Sequence, residues 1–133
     1  MKKKEREIDW QILVFDSLSY PTRILQPDGT IIAVNDIYLT KTQSTSPAII
    51  GSTCTQINKR HFPDQSFPCN EPLRCPLQQV LKSKSGKSVL LHTITSEGKE
   101  KWLDLVFSPI LDDDGEVKYV IESFRDATRV KTL

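Results

Sequence analysis

Cys54, His61, Cys69 and Cys75 fall in one stretch of the chain with the spacing C-x6-H-x7-C-x5-C. Thiolates and imidazole are the ligands tetrahedral zinc takes, so a Cys₃His set would close a structural zinc site, and thiolates also hold iron–sulfur clusters. The spacing is looser than a zinc knuckle, whose paired ligands sit roughly two to four residues apart, because Pro72 and four other residues separate Cys69 from Cys75. Three readings therefore stand side by side. The set binds metal or a cluster, or its thiols form a redox switch, or Cys54 is a small buried hydrophobe, Cys69 and Cys75 are free or form a reversible disulfide, and His61 is a surface loop residue.

Other residues with chemical potential lack their partners. Gly86-Lys87-Ser88 resembles the end of a phosphate-binding loop, but Leu81 stands where the upstream glycine is needed. Asp112-Asp113-Asp114-Gly115 lacks the first ligand and closing glutamate of a calcium loop, since Ile110 and Ile121 occupy those positions; it reads as a hairpin turn. His92 lies in an alternating segment with no acid or nucleophile set beside it, and reads as a strand residue facing a pocket or solvent. Trp102 could stack on a ring ligand but reads as core.

These residues need elements to hold them. Ile8, Ile12 and Phe15, with Leu13, Val14 and Leu18 on a second stripe, predict an amphipathic leader helix over residues 1–18 that stops before Pro21. Thr22–Leu25 and Ile31–Asn35 flank Pro27-Asp28-Gly29-Thr30 and predict a hairpin. Asn35 or Asp36 can cap a short helix over Asp36–Thr42. Residues 43–76 read as a long irregular segment with brief helical patterning at Ala48-Ile49-Ile50 and Thr55-Gln56-Ile57, and such a segment is uncommon unless functional. Pro76 suits the first turn of a helix from Leu77 to about Lys84, ended by Ser85-Gly86. Period-two alternation then gives three strands, Ser88–Thr95, Lys101–Leu111 and Val117–Phe124. The sum is an α+β domain with five strands and helices clustered mid-chain.

Composition limits what such a domain meets. In 133 residues, 18 Lys plus Arg oppose 17 Asp plus Glu, a formal charge of +1 that offers no field to gather nucleic acid or a lipid surface. The longest apolar run, Ile12–Phe15, is far short of the ~20 residues of a membrane helix. The charged opening has no signal-peptide h-region, the cysteine count is odd, and no Asn-x-Ser/Thr acceptor occurs. A cytoplasmic location is expected.

Three blocks resemble a known family: Ile24-Leu-Gln-Pro-Asp-Gly-Thr-Ile-Ile-Ala-Val-Asn-Asp36 with Ile50-Gly51 after it, Trp102-Leu-Asp-Leu-Val-Phe-Ser-Pro-Ile-Leu-Asp-Asp-Asp-Gly115, and Arg125-Asp-Ala-Thr128. Over roughly residues 19–130 the chain resembles a PAS domain, the sensory module of bacterial histidine kinases, cyclases and transcription regulators. The resemblance implies a five-stranded antiparallel sheet in order 2-1-5-4-3, with helices covering one face around a small interior pocket. It implies a signal-relay role for Asp126 and Thr128, the Asp-x-Thr ending at which such domains join an output helix. Pro68-Cys69 and Cys75-Pro76-Leu77 are similar to a subset with a cysteine-rich mid-domain segment. The haem ligation of some PAS sensors loses its ligand here, because the Leu77 helix contains no histidine and no Cys-x-x-Cys-His occurs, and the flavin-adduct motif is missing. The expected division is a leader at 1–18 and a sensor domain at 19–133, without enzymatic activity. That domain would detect a small ligand, metal or redox state and bias an output partner, with the leader's two apolar stripes supporting a homodimer. Two rivals are a zinc-stabilised protein-interaction module and a thiol oxidoreductase using Cys69 or Cys75.

Overall fold

The computed structural model describes residues 14–61, 75–94 and 97–131, with the side chains at 61, 93, 130 and 131 left aside. Most of the leader expected to be helical, and Cys69, lie outside the described residues. Val14–Asp16 are helical, and the turn closes where the Ser17 and Leu18 N–H groups donate to the Val14 and Phe15 carbonyls, before Pro21.

Strands β1 (Thr22–Leu25) and β2 (Ile31–Val34) form the hairpin. Its turn is closed by Gln26 N–H to Thr30 O at 2.8 Å and Gly29 N–H to Gln26 O at 2.9 Å, and Gly29 adopts φ +91°, which a side chain would oppose. Helix α1 (Asp36–Thr42) follows, and Asn35 rather than Asp36 caps it by accepting from Tyr38 N–H.

The segment expected to be irregular holds two further helices, α2 (Ser46–Ile49) and α3 (Cys54–His61). The second has a local cause in Thr53-x-x-Gln56: Thr53 Oγ1 accepts from Gln56 N–H at 3.2 Å and Gln56 Oε1 accepts from Thr53 N–H at 3.0 Å. This reciprocal box satisfies two otherwise orphaned donors. Helix α4 (Pro76–Ser83) has Pro76 in its first turn and ends at Lys84, which takes a left-handed φ of +57° and donates to Val80 O at 2.8 Å. The helix expected to run from Leu77 to about Lys84 thus ends there, with Lys84 rather than Ser85-Gly86 making the stop. Gly86 serves instead as a close approach, since a Cβ there would lie 3.3 Å from Phe107 O.

Strands β3 (Lys87–Ile94), β4 (Glu100–Leu111) and β5 (Val117–Asp126) complete the sheet, and a short α5 (Thr128–Lys131) leaves it. The order is β2-β1-β5-β4-β3, antiparallel throughout, as the resemblance implied. Alternation puts Leu103, Leu105 and Phe107 of β4 and Val120 and Phe124 of β5 on the buried face, where they pack with Tyr38, Ile49, Ile57, Leu77 and Val80 from the helices. The helices thus cover one face and the core lies between.

Candidate functional site

The C-terminal end of the sheet is tied to the outgoing chain by four residues. Asp126 Oδ1 accepts the Thr128 N–H at 2.9 Å and so caps the first turn of α5. The Thr128 hydroxyl accepts the Trp102 N–H at 3.0 Å, and Ala127 N–H donates to Trp102 O at 2.9 Å. From sequence, Asp126 is expected to pair with a cation and Thr128 to cap backbone groups. In the fold the Thr128 hydroxyl takes up a backbone group, the Trp102 N–H, and so fastens α5 to β4, while Asp126 caps the turn of α5 with Lys101 and Lys41 acting on its charge.

The Asp126 carboxyl is held below the ordinary carboxylate range, first by hydrogen bonds from Thr128, side chain then backbone, and further by Lys101 and Lys41. Because the folded pKa is depressed, this contribution is complete above the unfolded value of about 3.9 and is lost as pH falls through the folded value. Protection of the Trp102, Ala127 and Thr128 amides in hydrogen exchange is expected to hold at about pH 5 and drop selectively below about pH 4, ahead of the Leu105 and Val120 amides. Simultaneous loss at both places would contradict a local clasp.

The centre of the buried face is charged. Arg23 and Glu122 are direct cross-strand partners on β1 and β5, with Arg23 Nε donating to Glu122 Oε1 at 2.6 Å and side chains only 1% and 2% exposed. Arg23 Nη2 donates to Asn58 Oδ1 at 2.9 Å and Nη1 to the Tyr38 hydroxyl at 3.4 Å, and the guanidinium sits 4.9 Å from the Phe124 ring centroid. Burial works against the Arg23 charge, but the Glu122 carboxylate, the Tyr38 phenol and the Glu122 hydrogen bond outweigh it and push its pKa up. Burial also raises the Tyr38 phenol, against the pull of Arg23. Side chains thus occupy this central part of the helix-covered face. The sequence reading missed the pair, although both charges stand in phase with buried apolar neighbours, Arg23 with Leu25 and Glu122 with Val120 and Phe124.

The cysteines are partly brought together. Cys54 opens α3, its N–H donating to Gly29 O at 2.9 Å, and Cys75 is the N-cap residue of α4. Both are buried, and both line one cleft of about 240 Å³ with Asp28, Gly29 and Leu77. His61 ends α3, but its side chain, like the whole of Cys69, lies outside the described residues. Among the described residues no three His, Cys, Asp or Glu side chains converge as a metal site. His92 stacks on Trp102 with ring centroids 4.1 Å apart, on the sheet face opposite the helices, and its Nε2 lies 3.4 Å from Glu100 Oε1.

Comparison with known proteins matches a protein-family model, that of the PAS fold, to residues 15–132. The chain belongs to the PAS fold family. Solved structures agree on the architecture. The PAS domain of BvgS from Bordetella pertussis is 18% identical, with 95% of this chain and 90% of that one covered at a TM-score of 0.63. A sensory box sensor histidine kinase from Vibrio cholerae is 17% identical over 96% and 98% at 0.63, and a LOV protein of Rhodobacter sphaeroides is 17% identical over 96% and 70% at 0.66. No curated protein sequence matches the chain. Within this PAS domain no described helix is long and apolar enough to cross a membrane.

Proposed function

We propose that this PAS domain is a sensory relay. It takes up a signal on its helix-covered side and passes a conformational bias through Asp126 and Thr128 to an output module such as a histidine kinase, cyclase or transcription regulator. It works in the cytoplasm as a homodimer and catalyses no reaction of its own. The observation that carries the reading is the clasp, in which one hydroxyl fastens the first turn of α5 to the start of β4. A shift of β4 or β5 is thereby handed directly to whatever follows α5. Similarity to the Vibrio cholerae sensor histidine kinase and to BvgS supports the class of output.

The test is a fusion of the chain, through α5, to a histidine kinase catalytic core. Thr128→Val and Asp126→Asn are each expected to change the autophosphorylation rate several-fold while Leu105 and Val120 amides keep their protection. Rates equal to that of the unaltered fusion would remove the clasp from signalling.

A second reading is favoured by the cleft shared by Cys54 and Cys75. In it these thiols, with His61 and Cys69, form a metal or redox site at the start of α4, and occupancy would move the helix that covers β3 and β4. Metal analysis and a visible spectrum on protein purified without oxygen are read as follows: zinc near stoichiometry or an iron chromophore supports the metal form. A disulfide that forms and reverses without metal supports the switch, and neither result removes the reading.

A further inference from the structure

A cavity of about 420 Å³ opens beside the Arg23–Glu122 pair, between Ser19–Pro21, α1 and the ends of β4 and β5 next to the clasp. Its apolar walls include Pro21, Ile37, Leu103 and Phe124, with the rings of Tyr20 and Tyr38 among them. The volume is that of an ordinary small-molecule site. Its charged lining is unequal, with Lys41 and Lys101 against Asp126 alone. The Asp126 carboxylate is engaged by Thr128, whereas neither lysine makes an ion pair among the described residues. The Arg125 guanidinium lies 4.7 Å from the centroid of the Tyr20 ring but is not part of the lining. Two ammonium groups and one carboxylate leave a single positive charge on the wall, which suits a monoanion and disfavours a dianion close to Asp126.

We propose that this cleft binds a small organic monoanion, a carboxylate carried on a flat apolar body. Lys41 and Lys101 hold the carboxylate, while Ile37, Phe124 and the tyrosine rings take the body. The site deepens the sensory reading and rests on it for its purpose, because two of its walls are already wired to other parts of the fold. Tyr38 is the Arg23 partner, and Asp126 is the cap of α5. A carboxylate drawn to Lys41 and Lys101 would turn those two charges away from Asp126, so occupancy and the clasp are coupled electrostatically.

Titration of the isotope-labelled chain with benzoate, and separately with benzamide as its neutral counterpart of the same shape, tests the proposal by amide chemical shifts. Saturable shifts at Tyr38, Leu103 and Asp126 with benzoate are expected, with benzamide at least about tenfold weaker, the size of one charge-assisted contact. Lys41→Gln combined with Lys101→Gln should weaken benzoate by about tenfold or more and leave benzamide unchanged. Equal affinity for the two probes, benzoate shifts scattered over other lysines, or no saturable shift overturns the proposal. The titration reads occupancy alone. An unresponsive cleft therefore leaves the clasp's relay role standing, and a silent clasp in the kinase fusion leaves a positive binding result standing.

Discussion

Glu122→Ala is expected to destabilise the domain by about 3–5 kcal/mol, the cost of leaving one member of a buried ion pair without its partner. Among the described residues no second carboxylate pairs with Arg23. Its remaining contacts are the Asn58 amide oxygen, the Tyr38 hydroxyl and the Phe124 ring face, all uncharged. At 1% side-chain exposure the guanidinium cannot reach water without opening the helical layer. Arg23→Ala should cost a similar amount, by stranding Glu122 on β5. Replacing both, as Arg23→Met with Glu122→Leu, should recover most of the loss, because two apolar side chains of similar length avoid desolvating either charge. Urea unfolding at neutral pH, with unchanged dependence on denaturant, reads all four proteins. A double variant as unstable as the single ones would show that the site requires this pair for its shape, and that packing alone cannot hold β1 against β5 there.

Asn35→Ala comes second, with an expected loss of about 3 kcal/mol made up of a helix cap and a stranded buried donor. Asn35 is fully buried, and its one amide serves three backbone groups. Oδ1 accepts from Thr22 N–H at 2.9 Å and from Tyr38 N–H at 3.2 Å, while Nδ2 donates to Tyr20 O at 2.8 Å. The residue joins the entry into β1 to the start of α1, so its removal loosens the wall of the 420 Å³ cleft as well as the helix. Asn35→Asp keeps both acceptor bonds and loses the donor to Tyr20 O, so it should retain protection at the Thr22 and Tyr38 amides that Asn35→Ala loses. Hydrogen exchange at those two amides separates the outcomes. Equal protection in Asn35→Ala and the unaltered chain would remove the bridging role.

What could be read from sequence divides along a physical line. Period-two alternation located β3, β4 and β5, because half-buried strands must alternate, and Gly29 within Pro27–Thr30 located the hairpin. The strand order came from the resemblance, since nothing in a local pattern says that β5 lies between β1 and β4. Helix α3 was seen only as brief patterning, although Thr53 and Gln56 carry a legible capping box. The Arg23–Glu122 pair was missed because its partners are 99 residues apart in the chain, and a charge in a strand is ordinarily taken as the solvent side. Of the four metal or redox candidates, the fold places Cys54 and Cys75 at one cleft, an arrangement set by two helix starts meeting near Gly29 and invisible in the spacing C-x6-H-x7-C-x5-C.

The two margins of the sheet are unlike. At the start of β2 the outer backbone is taken up by the chain that follows α2: Ile31 N–H donates to Ser52 O at 2.8 Å, Gly51 N–H to Ile31 O at 2.9 Å, and Thr30 bridges to Thr53. Among the described residues β3 pairs with β4 alone. Among the described residues, then, the start of β2 is covered while β3 presents an edge to which another strand can be added. Two copies joined there, margin to margin, would use the β3 edge of both, so backbone pairing through β3 closes at a couple of domains.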